Sequence, residues 1–79
     1  MRSVVKLPKV SDTDDELTVV VWRVAVGEEV VAGAALVEVE SSKTTVELPS
    51  PVSGRVVEIL VGADQDAPVG TPICVIETA

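Results

Sequence analysis

Apolar and polar residues alternate along much of this chain. In Val37-Glu38-Val39-Glu40, and again in Thr45-Val46-Glu47-Leu48, valines and a leucine fall on one side of an extended backbone. Carboxylates and hydroxyls fall on the other. Val4-Val5-Lys6-Leu7 predicts a short first strand, stopped by Pro8. Residues 11–16 read as an acidic loop. Asp12 and Thr13 are helix-capping types, but no helical period follows them. Residues 18–26 predict a long β-branched strand that bends around Trp22-Arg23. Gly27-Glu28-Glu29 is a turn, Val30-Val31 a brief extended piece, and Ala32-Gly33-Ala34 a second turn. Residues 36–40 predict a strand with Glu38 and Glu40 on one face and Val37 and Val39 on the other. Leu48-Pro49-Ser50-Pro51 reads as a stiff connector. Strands are predicted at 54–61 and 73–77, with turns at 62–66 and 68–70 between them. The expected fold is all-β, a sandwich or barrel with short strands and closely spaced turns.

The chain also resembles itself. Val5-Lys6-Leu7-Pro8 matches Val46-Glu47-Leu48-Pro49, and residues 21–27 match 56–62. Residues 33–41 match 70–78. Two repeats are too few for a solenoid. They predict two similar β units packed face to face about an approximate two-fold axis. The junction between the units would then lie opposite the end where the termini meet.

Bulk properties narrow the function. The chain has 79 residues, which predicts one domain spanning 1–79. Hydrophobic residues make up 47%, mostly Val and Ala, enough for an efficient small core. A net charge of −7 opposes binding to nucleic acid or to an anionic membrane surface. With one cysteine and no histidine, the chain holds neither a Cys–His nucleophilic pair nor a His/Cys zinc site. Cys74 lies in an apolar run and reads as a buried thiol. No stretch has the ~20 apolar residues of a membrane helix. The N-terminus has no signal-peptide core, which fits a cytoplasmic chain, or one in the mitochondrial matrix whose targeting segment has been removed.

Candidate chemistry centres on Glu40-Ser41-Ser42-Lys43-Thr44-Thr45-Val46. Strands run into and out of this stretch, so Lys43 falls at a predicted hairpin tip between small hydroxyl residues suited to a turn. An ammonium at an exposed tip can be reached by another protein's active site, which makes Lys43 a candidate attachment point for a cofactor arm. Most surface lysines are only solvated. Lys43 stands out because the others, Lys6 and Lys9, lie near the N-terminus and because it sits at the repeat junction.

Five segments in order resemble the lipoyl domain of the dihydrolipoyl acyltransferase component of 2-oxo acid dehydrogenase complexes, within the wider biotinyl/lipoyl attachment family. They are Leu7-Pro8, Val26-Gly27-Glu28-Glu29-Val30, Val37-Glu38-Val39-Glu40-Ser41-Ser42-Lys43, Pro51-Val52-Ser53-Gly54-Arg55-Val56 and Val69-Gly70-Thr71-Pro72-Ile73. The resemblance implies a flattened barrel of two four-stranded antiparallel sheets. It implies lipoic acid, amide-linked to Lys43, as the cofactor of a non-catalytic swinging-arm carrier. The implied partners are a lipoate ligase or lipoyl transferase, a thiamine-diphosphate-dependent 2-oxo acid decarboxylase, the acyltransferase core and dihydrolipoyl dehydrogenase, with the isolated domain a monomer. Two departures stand out. Ser42 and Thr44 replace the Asp and Ala that commonly flank the lysine, so with Glu40 they are candidate recognition residues. The loop at 11–16 also lacks the glycine-rich pattern common there. A biotin carrier shares the fold but usually brackets its lysine with methionines, and here Met1 is the only one. A free-standing or unmodified module of the same fold is the remaining alternative.

Overall fold

A computed structural model describes residues 1–10, 15–42 and 44–78. Eight strands form two antiparallel four-stranded sheets, as expected. They are β1 (Arg2–Lys6), β2 (Glu16–Trp22), β3 (Glu29–Val30), β4 (Ala35–Glu40), β5 (Thr45–Pro49), β6 (Gly54–Ile59), β7 (Asp66–Pro68) and β8 (Pro72–Glu77). One sheet has the order β1-β8-β6-β3 and the other β5-β4-β2-β7. Exchanging β1 with β5, β2 with β6, β3 with β7 and β4 with β8 turns one order into the other, so the two-fold repeat is real.

The apolar faces of both sheets meet in one core. Val19, Leu36, Val37, Val39, Val56, Ile73, Cys74 and Ile76 are all fully buried within it. Burying these side chains is the main favourable contribution to folding, about 1.5–3 kcal/mol for each Val, Leu or Ile. Trp22 is half-buried against the core and donates its indole N–H to the Val61 carbonyl at 2.8 Å. Cys74 is inside, and burial pushes its thiol up to about 11, so it is protonated and unreactive at neutral pH.

Several boundaries differ from the sequence reading. β2 begins at Glu16 and stops at Trp22, because the chain bends at Arg23 and Val24 and crosses to the other sheet. β6 likewise stops at Ile59. Pro49 lies inside β5 and Pro68 inside β7, a strand that reads as turn from sequence alone. Both prolines are tolerated because β5 and β7 are the outer strands of their sheet and have a side with no ladder bonds to make. Residues 11–14, most of the expected acidic loop, lie outside the described residues.

The repeat also runs in a different register from the one read in the sequence. Val5 pairs with Cys74 and Lys6 with Pro72, while Leu48 pairs with Val37 and Pro49 with Ala35. The counterpart of Val5 is therefore Leu48, not Val46. In the same way Val19 faces Val39 as Val56 faces Ile76, so Val56 matches Val19 rather than Val21. The turns agree. The Ala25 amide bonds Glu28 Oε1 just as the Gly62 amide bonds Gln65 Oε1. Gly27 at φ 94° has Asp64 at φ 66° as its counterpart. Both sequence matches were two residues out of step, while the third, 33–41 with 70–78, holds. In this register the length difference falls between β1 and β2. Residues 7–15 connect there where only 50–53 connect β5 to β6.

The body measures 37 × 19 × 18 Å. At one end of the long axis the termini meet: the Thr78 amide bonds the Met1 carbonyl at 2.7 Å, and the Thr78 hydroxyl bonds it at 3.1 Å. At the other end β4 turns into β5.

Candidate functional site

Residues 41–44 link β4 to β5, and hydrogen bonds between Ser41 and Thr44 close the base of this link. Ser41 donates its amide to the Thr44 carbonyl at 2.8 Å. Its hydroxyl donates to the same carbonyl at 3.1 Å and accepts the Thr44 amide, also at 3.1 Å. A buried hydroxyl must be bonded, and Ser41 is only 7% exposed. This closure is the two-fold counterpart of the Met1–Thr78 contact. At both ends an amide and a hydroxyl donate to one carbonyl, but the third bond is accepted by the Ser41 hydroxyl here and by the Thr78 backbone carbonyl there.

Of the residues proposed from sequence, Lys43 lies outside the described residues. Its chain neighbours Ser42 and Thr44 are both exposed, as is Glu40 at the end of β4. The role of Ser41 was missed in the sequence. The available signal was a small hydroxyl residue opening a predicted turn, where such side chains bond the backbone two or three residues on.

Glu40 lies in a row that crosses the outer face of its sheet. Thr45 of β5 faces Glu40, Glu40 faces Thr18 of β2, and Thr18 faces Asp66 of β7. The Thr18 hydroxyl donates to Asp66 Oδ1. The counterpart row at the far end is Arg2, Glu77, Arg55 and Glu29. There Arg2 pairs with Glu77 at 3.2 Å and Arg55 with Glu29 at 3.3 Å. At the turn end, threonines occupy both arginine positions. Neither Glu40 nor Asp66 forms an ion pair with a described residue, and of the two rows this one is the more negative.

Glu47, a further carboxylate near the turn, does not stand free beside Lys43. Arg23 binds Glu47 Oε2 at 3.0 Å and Glu38 Oε1 at 3.1 Å. Glu38 and Glu47 are directly opposed across β4 and β5, where like charges repel, and the guanidinium between them offsets that.

Among the described residues, no group of three His, Cys, Asp or Glu side chains is placed to hold a metal. Clefts of about 410 and 290 Å³ are lined by Glu29, Arg55 and Glu77 and by Val4, Leu48 and Pro49, away from residues 41–44. The chemistry that the turn does fit is covalent attachment. A cofactor held through one amide bond needs a reachable primary amine on a firm base, with no bulky neighbours. The Ser41–Thr44 closure supplies the firm base, and Ser42 and Thr44 are small and exposed.

The comparisons with known proteins agree with this reading. A family model described as "Biotin-requiring enzyme" matches residues 3–76. The acetyltransferase component of the pyruvate dehydrogenase complex of Corynebacterium glutamicum, a dihydrolipoyllysine-residue enzyme, is 39% identical over 69 residues, 87% of this chain. That of Haemophilus influenzae is 34% identical over the whole chain. The succinyltransferase component of the 2-oxoglutarate dehydrogenase complex of Bartonella vinsonii is 40% identical over 76% of the chain. This chain spans only 10%, 14% and 15% of those relatives' lengths. Among solved structures, a single-chain, multi-domain long-chain acyl-CoA carboxylase aligns with a TM-score of 0.75 and 26% identity, over 99% of this chain and 7% of that one. The sheets, the symmetric turns and these relatives together show that the chain belongs to the biotin/lipoyl attachment family, whose domains are non-catalytic carriers of a cofactor bound to lysine.

Proposed function

We propose that this domain carries lipoic acid, amide-linked to Lys43, and acts as the swinging arm of a 2-oxo acid dehydrogenase complex. The observation that carries the reading is the closed turn at 41–44, at the end of the body opposite the termini. The choice of lipoic acid over biotin is supported by the relatives, which are named as dihydrolipoyllysine-residue acyltransferases. In attachment, the Lys43 amine displaces the leaving group of an activated carboxylate, forming the amide and losing a proton. When bound, the cofactor supplies a disulfide ring that accepts an acyl group together with two electrons. The chain itself provides a rigid mount. Ser41 and Thr44 hold the base of the turn, exposed Ser42 and Thr44 flank the lysine, and Glu40 is a candidate contact for the ligase or the decarboxylase. A tether at the opposite end leaves the arm uncrowded. Tethering also raises the local concentration of the carried group at each partner site in turn. Those partners are a ligase or transferase, a thiamine-diphosphate decarboxylase, the acyltransferase core and dihydrolipoyl dehydrogenase.

Biotin is the second reading, favoured by the acyl-CoA carboxylase alignment and by the family description. Incubation with purified lipoate ligase and, separately, with biotin ligase distinguishes the two by intact mass. The expected result is one lipoyl adduct on the wild type and none on Lys43→Arg, which keeps the charge but has no attacking amine. A lipoyl adduct on the variant refutes the assignment to Lys43, and a biotinyl adduct alone refutes the choice of cofactor.

A further inference from the structure

We infer that Ser41 is a positioning residue for the modification of Lys43, an assignment that rests on the reading of Lys43 as the attachment site. Three observations lead to it. Ser41 is buried although it directly precedes exposed Ser42 in the turn. Its hydroxyl bonds both the amide and the carbonyl of Thr44, so it joins the residues that enter and leave the turn and leaves only positions 42 and 43 between them. The same closure occurs at the far end, where the Thr78 hydroxyl bonds the Met1 carbonyl at the same 3.1 Å. There Met1 and Thr78 also form backbone bonds at 2.7 and 3.2 Å. Neighbouring strands β1 and β8 are therefore joined at that end by backbone bonds in both directions. At the turn end the Ser41 amide bonds the Thr44 carbonyl, and the Ser41 hydroxyl adds two bonds, one to that carbonyl and one from the Thr44 amide.

Without the hydroxyl, the strands stay paired from Glu40–Thr45 inward. What loosens is the base from which the lysine departs. A ligase must bring that amine onto an activated carboxylate at attack distance, and a base that samples several geometries lowers the fraction competent to react. Threonine keeps the hydroxyl and suits the end of a strand, as Thr78 does, so Ser41→Thr should preserve the closure.

The test is steady-state lipoylation of wild type, Ser41→Ala, Ser41→Thr and Lys43→Arg by purified lipoate ligase, with kcat and KM separated and each melting temperature measured. Losing bonds of ordinary strength lowers kcat/KM of Ser41→Ala about fivefold or more, with Ser41→Thr within about twofold of wild type. Amide hydrogen exchange at Thr44 accelerates in Ser41→Ala and not in Ser41→Thr, a readout independent of the ligase. Unchanged kcat/KM for Ser41→Ala overturns the inference and leaves Lys43 as the attachment site. So does a loss that Ser41→Thr fails to restore and that follows a matching fall in melting temperature. Equal modification of wild type and Lys43→Arg overturns the reading of Lys43, and the role of Ser41 falls with it.

Discussion

Two glycines show how closely single residues are specified. Gly27 sits in the left-handed region, where a side chain is strained, yet an added methyl there would meet nothing within 4 Å. Gly54 has ordinary dihedral angles, but a methyl there would fall on the Glu77 carbonyl oxygen and lie 2.9 Å from Ile76 Cγ2. Gly27→Ala is therefore expected to cost about 1 kcal/mol, from backbone strain alone. Gly54→Ala is expected to cost about 3 kcal/mol or more, because β6 and β8 would have to separate. Urea titration of both variants checks the order. Equal losses would mean that the β6–β8 approach is softer than its geometry suggests. Gly27 was readable as a turn glycine. The close approach at Gly54 was not, since Glu77 lies at the far end of the chain.

At the scale of elements, the β4–β5 hairpin combines a functional tip with an unfavourable charge pair in its body. Glu38 and Glu47 face each other, and Arg23 at the end of β2 bonds both. All three side chains are partly exposed, so solvent screens the interaction. Arg23→Ala should destabilise the domain by about 1 kcal/mol at low ionic strength, and by less in high salt, where the exposed repulsion is screened. Chemical denaturation at two salt concentrations reads the difference. A loss that does not change with salt would point to packing by the arginine stem instead. The alternation in the two strands made the hairpin legible. The role of Arg23 was not, because it depends on a bend that carries the residue over a neighbouring strand.

For the whole molecule, the balance is between a net charge of −7 and the ion pairs, of which the five among the described residues are all at least partly exposed. Exposed pairs contribute little each, whereas like-charge repulsion acts over the whole surface and is screened by salt. Raising the salt from very low to physiological strength should therefore raise the melting temperature. Calorimetry at constant pH gives the sign, and a fall would mean that the ion pairs outweigh the repulsion. The negative charge is also uneven. The row at the termini end is neutralised by Arg2 and Arg55, while the row beside the turn has Thr45 and Thr18 in their places.

Period-two alternation, the turn glycines and the hydroxyl-flanked lysine were enough to establish an all-β chain, most of its strands, its internal duplication and the residue proposed to carry the cofactor. These are local properties of an extended backbone, visible in any window of a few residues. The register of the duplication was different. Sliding a strand by two residues returns every side chain to the face it left, so an alternating pattern matches itself equally well two positions out of step. Only hydrogen bonds between strands distant in the chain, and the left-handed turn at Asp64, select the true correspondence. The same long-range pairing turns Pro49 and Pro68 into edge-strand residues, buries the Ser41 hydroxyl and places an acidic row beside the turn, because each of these depends on which strand lies alongside.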